Sequence, residues 1–297
     1  MTHPAEKIHT SVLLHECMHY LVPERGKTYI DGTLGLGGHT ERILQLSAPD
    51  GKVVAFDWDE NAIAKASDRL KGFGDRFQVQ RRNFAEISEG LDSIGIDQVD
   101  GMMIDVGLSS LQLDMGNRGF SFQQDEKLDM RMDNRRKVTA GSIVQTATEE
   151  QLADIFFYYG EERQARPIAA AIVAQRKIEK IETTKQLVGV VARAVPKRFH
   201  PKRIHVATKV FQALRIAVNT ELENLGTILD DGVKYLKPGA RFCVISFHSL
   251  EDRIVKRKFR NSDSLVVLTS KPVLPTEEEV AANPRSRSAR LRVAEKK

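Results

Sequence analysis

Short apolar runs alternate with helical periods through the first third of the chain, and few architectures accommodate that rhythm. Residues 29–31 (YID) form a short extended run that ends in glycines. Lys52–Asp57 (KVVAFD) is a buried-strand pattern closed by an acid, 77–80 a third strand and 99–106 (VDGMMIDV) a fourth. Between them, residues 41–46 read as helix, and 61–70 place Ala62, Ile63, Ala66 and Leu70 on one face. The pattern predicts a parallel sheet with helices on both faces.

The rhythm then stops. Residues 108–133 are rich in Gly, Asp, Asn and Ser and too long for an ordinary loop. From 149 to 194 the spacing is helical: Leu152, Ile155, Phe156 and Tyr159 share a face, as do Ile168, Ala171, Ile172 and Gln175. A further long helix is expected over 205–223. The strand signal returns at 241–247 (RFCVISF), and 265–269 with 289–293 could form a final hairpin-like pair. The expected organisation is an α/β sheet domain, 1–107 and 205–297, interrupted by a mostly helical insert, 108–204.

The densest local motif is DGTLGLGGH, Asp31 to His39, between a strand and a helix. Glycines such as Gly35, Gly37 and Gly38 let the backbone turn sharply and approach a ligand. Asp57 follows at the end of the next strand, where a carboxylate can accept hydrogen bonds from ribose hydroxyls. This arrangement points to a nucleoside cofactor. A G-x-G-x-x-G nicotinamide fingerprint is absent, because Thr40 stands at the sixth position, and no phosphate-cradling G-x-x-x-x-G-K-[ST] occurs. Asp31, just before the glycines, suits a cationic amino group such as that of S-adenosylmethionine and would be an odd neighbour for a pyrophosphate.

Other strand ends carry chemistry. Asn83-Phe84 follows the third strand, and an aromatic there can flank an adenine, although core packing is an equal alternative. Asp105 closes the fourth strand, at the rim where such sheets bind ligands; a helix N-cap is the plainer reading. After the fifth strand come Ser246-Phe247-His248-Ser249-Leu250-Glu251-Asp252-Arg253. The absence of a G-x-S-x-G elbow argues against a hydrolase. A capping box of Ser249 with Asp252 would explain that serine structurally.

Charge is unevenly spread. The 297 residues sum to only +5, but 253–297 hold twelve Lys/Arg against five Asp/Glu, and 193–218 hold seven Lys/Arg and no acid. Solvated helix faces are one explanation; two surfaces for a phosphate backbone, with the cofactor crevice between them, are the other. The balance of 41% hydrophobic and 29% charged residues excludes a disordered or collagen-like chain. No apolar run suits a membrane span or signal peptide, and two cysteines, Cys17 and Cys243, make neither a disulfide framework nor a clustered zinc site. A soluble cytoplasmic protein with no metal and no membrane partner is expected.

Several long segments resemble the bacterial RsmH (MraW) methyltransferases. They are HTSVLLHE (9–16), YIDGTLGLGGHT (29–40), IDVGLSSLQLD (104–114), RGFSF (118–122), LDMRMD (128–133), YGEER (159–163), FQALRIAVNTEL (211–222), ISFHSLEDRIVK (245–256) and NPRSRSARLRVAEK (283–296). The resemblance spans nearly the whole chain. It implies a Rossmann-like class I S-adenosylmethionine methyltransferase with a helical substrate-recognition insert. It also implies an enzyme that methylates N4 of a specific cytidine in 16S rRNA of the small ribosomal subunit. Gly37, Gly38, His39, Asp57, Phe84, Asp105 and Gln112 match the family's cofactor contacts. Leu111 and Val206 stand where the family usually has prolines, and Thr33 where the wider methyltransferase loop often has glycine.

Chemically, the exocyclic amine of cytosine is a poor nucleophile, so an acceptor on it helps. Asp105, Ser109 or Ser110 is expected in that role, with Ser246 and His248 shaping the base pocket. Residues 105–108 (DVGL) lack the aromatic of an Asp/Asn-Pro-Pro-aromatic motif, so the ring that stacks on the base must come from elsewhere; Phe120 and Phe122 are candidates. The rival readings are a methyltransferase acting on DNA or a protein amine, and an RNA-binding assembly factor with a dead cofactor site. The oligomeric state, a homodimer included, is left open.

Overall fold

The strand sequences carry apolar side chains on both sides, and the fold uses both. The computed structural model describes residues 11–107 and 118–297. The chain divides into two units, one of residues 1–109 and 222–297 and one of 110–221.

The first unit is built on β1 (Thr28–Asp31), β2 (Lys52–Asp57), β3 (Phe77–Arg81), β4 (Val99–Asp105), β5 (Leu236–Ser246), β6 (Leu265–Val267) and β7 (Arg290–Lys296). They form one sheet in the order β3-β2-β1-β4-β5-β7-β6. The first five run parallel, and β7 is antiparallel to both of its neighbours. Helices α1 (Leu14–Leu21), α2 (Gly38–Leu46), α3 (Glu60–Leu70) and α4 (Ile87–Asp92) belong to the first half of this unit.

Successive strand residues point to opposite faces. Ile30, Val54, Phe56, Met102, Ile104, Phe242 and Val244 enter one core with Leu225, Ile228, Val255 and Phe259. Tyr29, Val53, Ala55, Met103, Cys243 and Ile245 enter the other, covered by Cys17, Met18 and Leu21 of α1, Ile43 and Leu44 of α2, and Ala66 and Leu70 of α3. Burial on both faces explains the unbroken apolar runs.

The second unit is mostly helical: α5 (Ala140–Thr146), α6 (Glu149–Tyr158), α7 (Ala165–Ile178), α8 (Thr184–Ala194) and α9 (Thr208–Asn219). Thr139, Thr148 and Thr183 start three of them with capping boxes, answered by Ser142, Gln151 and Gln186. Leu152, Phe156, Ile168, Ile172, Leu187, Val191, Val210 and Leu214 make the core, joined by Leu128 and Met130 from the non-helical LDMRMD segment. Asn219, fully buried, accepts from the Met132 N–H at 2.9 Å and donates to the Met130 carbonyl at 2.8 Å.

Back in the sheet unit, α10 (Glu221–Asp231), α11 (Ser249–Asn261) and α12 (Glu277–Ala282) complete the chain's helices among the described residues.

Three expectations change. The helical unit extends to residue 221 rather than 204, because α9 buries Val210, Phe211 and Leu214 in the helical core. The single helix expected over 205–223 is two, broken where Thr220 adopts a left-handed φ of 52°. The two late strands do pair, but α12 lies in their connection and β7 sits between β5 and β6, so they are not a tight hairpin.

Candidate active site

The strand order places β1 and β4 side by side at the point where the chain's progression across the sheet reverses. The rim above the carboxyl ends of such strands is where open α/β sheets hold ligands. Four acids meet there, and each is fixed differently.

Asp31 closes β1 and is 1% exposed. Its Oδ2 accepts from Thr40 Oγ1 at 2.7 Å and its Oδ1 from the Thr33 N–H at 3.1 Å. Burial raises its pKa. This acid was expected to face a cationic amino group; instead it lies beneath the glycine loop and holds the loop's two ends together.

The loop turns on Gly35 (φ 53°) and Gly37 (φ 79°), and Gly37 is the N-cap of α2. The helix therefore starts at Gly38, three residues before the apolar period announces it. The N–H groups of Gly38 and His39 fall in its first turn, where no intrahelical acceptor is available. A side chain at Gly38 would collide with Ser11 Oγ. His39 is buried, with Nε2 3.0 Å from the Val12 carbonyl. Burial lowers its pKa, so the ring is neutral and donates to that carbonyl. Its side chain anchors the 11–13 segment to the loop.

Asp57 closes β2. Its Oδ2 accepts from the Gly35 N–H and its Oδ1 from the Asp59 N–H, both at 2.9 Å. Each oxygen keeps a further lone pair for a hydroxyl donor. Burial pushes its pKa up to about 6. Phe84 opens a short turn after β3 and is half-buried. A Cβ at Gly32 would lie 3.3 Å from the Phe84 Cβ and 3.1 Å from Ile104, so the missing side chain is what lets these two residues approach the loop.

Asp105 closes β4. Its backbone N–H donates to Thr33 Oγ1 at 2.6 Å. Its Oδ1 is buried and has no hydrogen-bond partner among the described residues. Burial, then the charges of Asp31 and Glu251, push its pKa up to about 8.

Glu251 is the fourth acid. It is fully buried in the first turn of α11, where Oε2 accepts from the N–H groups of Phe247 (2.8 Å) and His248 (3.2 Å). His248 is the N-cap of that helix: its Nδ1 accepts from the Glu251 N–H at 3.4 Å, and its Nε2 lies 3.0 Å from Glu251 Oε1. The capping box is therefore His248 with Glu251, not Ser249 with Asp252. Asp252 instead pairs with the buried Arg292 at 2.6 Å.

Two expected pocket residues are placed otherwise. Ser246 is 1% exposed, and its hydroxyl lies 3.5 Å from the Arg290 carbonyl of β7, inside the sheet. His248 Nδ1 is taken by the Glu251 N–H, whereas its buried Nε2, 3.0 Å from Glu251 Oε1, has no hydrogen-bond partner among the described residues. Phe120 and Phe122 pack against the helical core, Phe122 with its ring centroid 4.9 Å from that of Phe211. Sequence reading missed Phe247, whose ring would lie 3.3 Å from a Cβ at Gly107, just past the end of β4. The register Asp105↔Ile245 puts the two strand ends together. Ser109, Ser110, Gln112 and Leu111 lie outside the described residues. No cluster of three His, Cys, Asp or Glu suited to a metal occurs among the described residues, and no described helix is long and apolar enough to cross a membrane.

A family model of the MraW methylases matches residues 6–297. The chain belongs to the MraW methylase family. Its relatives in that family include the ribosomal RNA small subunit methyltransferase H of Desulfotalea psychrophila, 68% identical over 98% of this chain and 99% of that one. The protein of the same name from Geotalea uraniireducens is 51% identical over 97% and 98%. Among solved structures, a candidate rRNA methylase from Clostridium thermocellum aligns over 98% of this chain and all of that one, at a TM-score of 0.50 and 13% identity. That likeness shows the MraW chain's Rossmann-like fold, and it is the sequence relatives that show the family.

Proposed function

We propose that this chain transfers the methyl group of S-adenosylmethionine to N4 of a cytidine in 16S rRNA of the small ribosomal subunit. The observation that carries the reading is Asp105: a carboxylate at the β4 rim with one buried oxygen that has no partner among the described residues, held against the glycine loop by Thr33. The names of the 68% and 51% identical relatives support the substrate.

The residues present fit the cofactor. Asp57 presents spare lone pairs for two ribose hydroxyls, Phe84 flanks the base, and the first-turn N–H groups of Gly38 and His39 suit a carboxylate. A buried acid with an unpaired oxygen suits a nearby positive charge. When bound, S-adenosylmethionine supplies a methyl group already activated as a sulfonium.

The chain's own work is then alignment and proton handling. Asp105 Oδ1 accepts a hydrogen of the cytosine amine and takes up the proton that N4 sheds on gaining the methyl group, which the donor would give up to leave as a neutral thioether. Asp105 must be ionised to do so, and a cation beside it favours that form. Glu251 fixes the His248 ring at the rim, and Phe247 lies beside the β4 end, where it can stack on a base drawn out of its helix. Ser109 and Ser110 remain alternative acceptors. The helical unit is the substrate-recognition insert, and Arg285, Arg287 and Arg290 contact phosphate. An enzyme with this substrate works in the cytoplasm.

The test is transfer of radiolabelled methyl to purified small subunits, 16S rRNA, DNA and protein, followed by mass mapping of modified nucleosides. N4-methylcytidine confined to small-subunit RNA is expected. Label in DNA or protein at equal efficiency overturns the reading. Charge reversal at Arg285, Arg287 and Arg290 should weaken RNA binding and its salt dependence while cofactor binding persists.

A further inference from the structure

We infer that the helical unit carries a binding surface for an unpaired RNA strand, centred on Phe199 as a stacking platform. This deepens the rRNA reading and rests on it only for the identity of the natural RNA.

The platform is a rigid, exposed turn. After α8 ends at Ala194, the segment 195–207 leaves the helical core and returns as α9. Lys197–Phe199 form one 3-10 turn, closed by the Phe199 N–H on the Pro196 carbonyl at 2.8 Å. His200 Nε2 lies 2.9 Å from the Val195 carbonyl and pins the turn to the helix end. Pro196 and Pro201 stiffen it on both sides. The turn holds an aromatic outward: Phe199 is 49% exposed. The Arg198 guanidinium lies over its ring, 4.9 Å from the centroid.

The exposed half of the ring adds no burial to the fold. Core residues on either side are buried, Val195 at 3% and Val206 at 6% exposure, so the segment could have turned its aromatic inward. What surrounds the ring is basic: Lys197, Arg198, Lys202 and Arg203 are exposed, and no acid occurs from 193 to 218. A cavity of about 200 Å³ lies between α7 and α8. Lys180, Lys185 and Arg193 line it with the amides of Gln175 and Gln186, against the single acid Glu179. Arg193 ends the cavity and sits two residues before Val195, so groove and platform are contiguous along the chain.

Cations track phosphates, and an exposed ring offers a face to any base. A duplex keeps its base faces stacked and cannot use such a ring. An acidic protein surface would use the cations and leave Phe199 idle. The combination selects a single strand, with a base on Phe199 and its phosphates on Lys197, Lys202 and Arg203.

The test uses the full chain and a fluorescent twelve-nucleotide pyrimidine RNA, single-stranded or annealed to its complement. Phe199→Ala should weaken single-strand binding roughly 5- to 150-fold, leave its salt slope unchanged and leave duplex binding as it was. Phe199→Tyr should bind as wild type. Lys202→Ala with Arg203→Ala should lower the salt slope by roughly 0.7 per lost contact. Calorimetry with S-adenosylmethionine and a thermal melt, both unchanged for Phe199→Ala, show that the fold is intact. Wild-type affinity in Phe199→Ala, or equal loss for single strand and duplex, overturns the platform. A wild-type chain that binds the oligonucleotide in this pattern yet fails to methylate small subunits sinks the rRNA reading alone.

Discussion

The backbone N–H of Asp105 donates to the hydroxyl of Thr33 at 2.6 Å, fastening the end of β4 to the glycine loop after β1. Thr33 stands where a glycine is common in such loops, and its hydroxyl is what makes the fastening. Thr33→Val keeps the shape and removes the acceptor, leaving a half-buried N–H unpaired at about 1–3 kcal/mol. The expected outcome is a fall in the melting temperature and at least fivefold weaker S-adenosylmethionine binding by calorimetry, with Thr33→Ser close to wild type.

Asp105 should report itself in proton balance. Its pKa in the folded chain is raised from 3.8 to about 8, so near neutrality the free protein holds a proton there. A cation bound beside it lowers that value and releases the proton. Calorimetry at pH 7 in buffers of different ionisation enthalpy should show net proton release on cofactor binding, and Asp105→Asn should abolish that release.

The same group sets a pH slope on stability. A carboxyl raised above its unfolded value binds more protons folded than unfolded between the two, so its contribution is lost as pH rises from about 4 to about 8. Asp105→Asn removes the ionisation. The variant should melt higher than wild type at pH 8 and equal to it at pH 4. A gap that closes toward high pH would refute the assignment.

Glu251→Gln replaces an acceptor that serves two backbone N–H groups. The amide oxygen, with two lone pairs, can still accept both in the place of Oε2, which turns its N–H₂ toward His248 Nε2. A loss of about 0.5–1.5 kcal/mol in unfolding free energy is expected as bonds to a carboxylate become bonds to an amide, with turnover reduced more than cofactor affinity. Glu251→Ala should be worse on both counts, because it also empties a fully buried site.

Gly38→Ala should destabilise the chain, since the new Cβ collides with Ser11 Oγ. Because the obstructing atom is a side-chain tip, Ser11→Ala should restore most of the melting temperature in the double variant. Failure of that rescue would place the strain in the α2 backbone instead.

Much of this was legible beforehand. β1, β2, β4 and β5 announce themselves because both faces are buried, the edge strand β3 by the alternation of Phe77 and Val79 with glutamines, and Asp57 and Asp105 are visible as acids closing apolar runs. What escaped depends on partners far away in the sequence. Asp252 looks like the capping acid of α11, but one residue along a helix turns a side chain by about 100°, and Arg292, forty positions later, claims it. Glu251, one step earlier, points inward. Phe247 hides in an apolar run and acquires meaning only from the register of β5 on β4. Asp31 reads as a site acid and is a loop clasp, because nothing local says that Thr40 will turn back to it. The break at Thr220 needs a left-handed residue that is not glycine.

The placement of β7 between β5 and β6 has a consequence for biosynthesis. β6 leaves the ribosome before the strand it pairs with, and β5 holds its outer edge open over the same interval. Translation must proceed through residues 290–296 before that edge is capped, so a nascent chain stalled earlier presents an unpaired strand. β7 enters as a wedge between two strands that are both made before it.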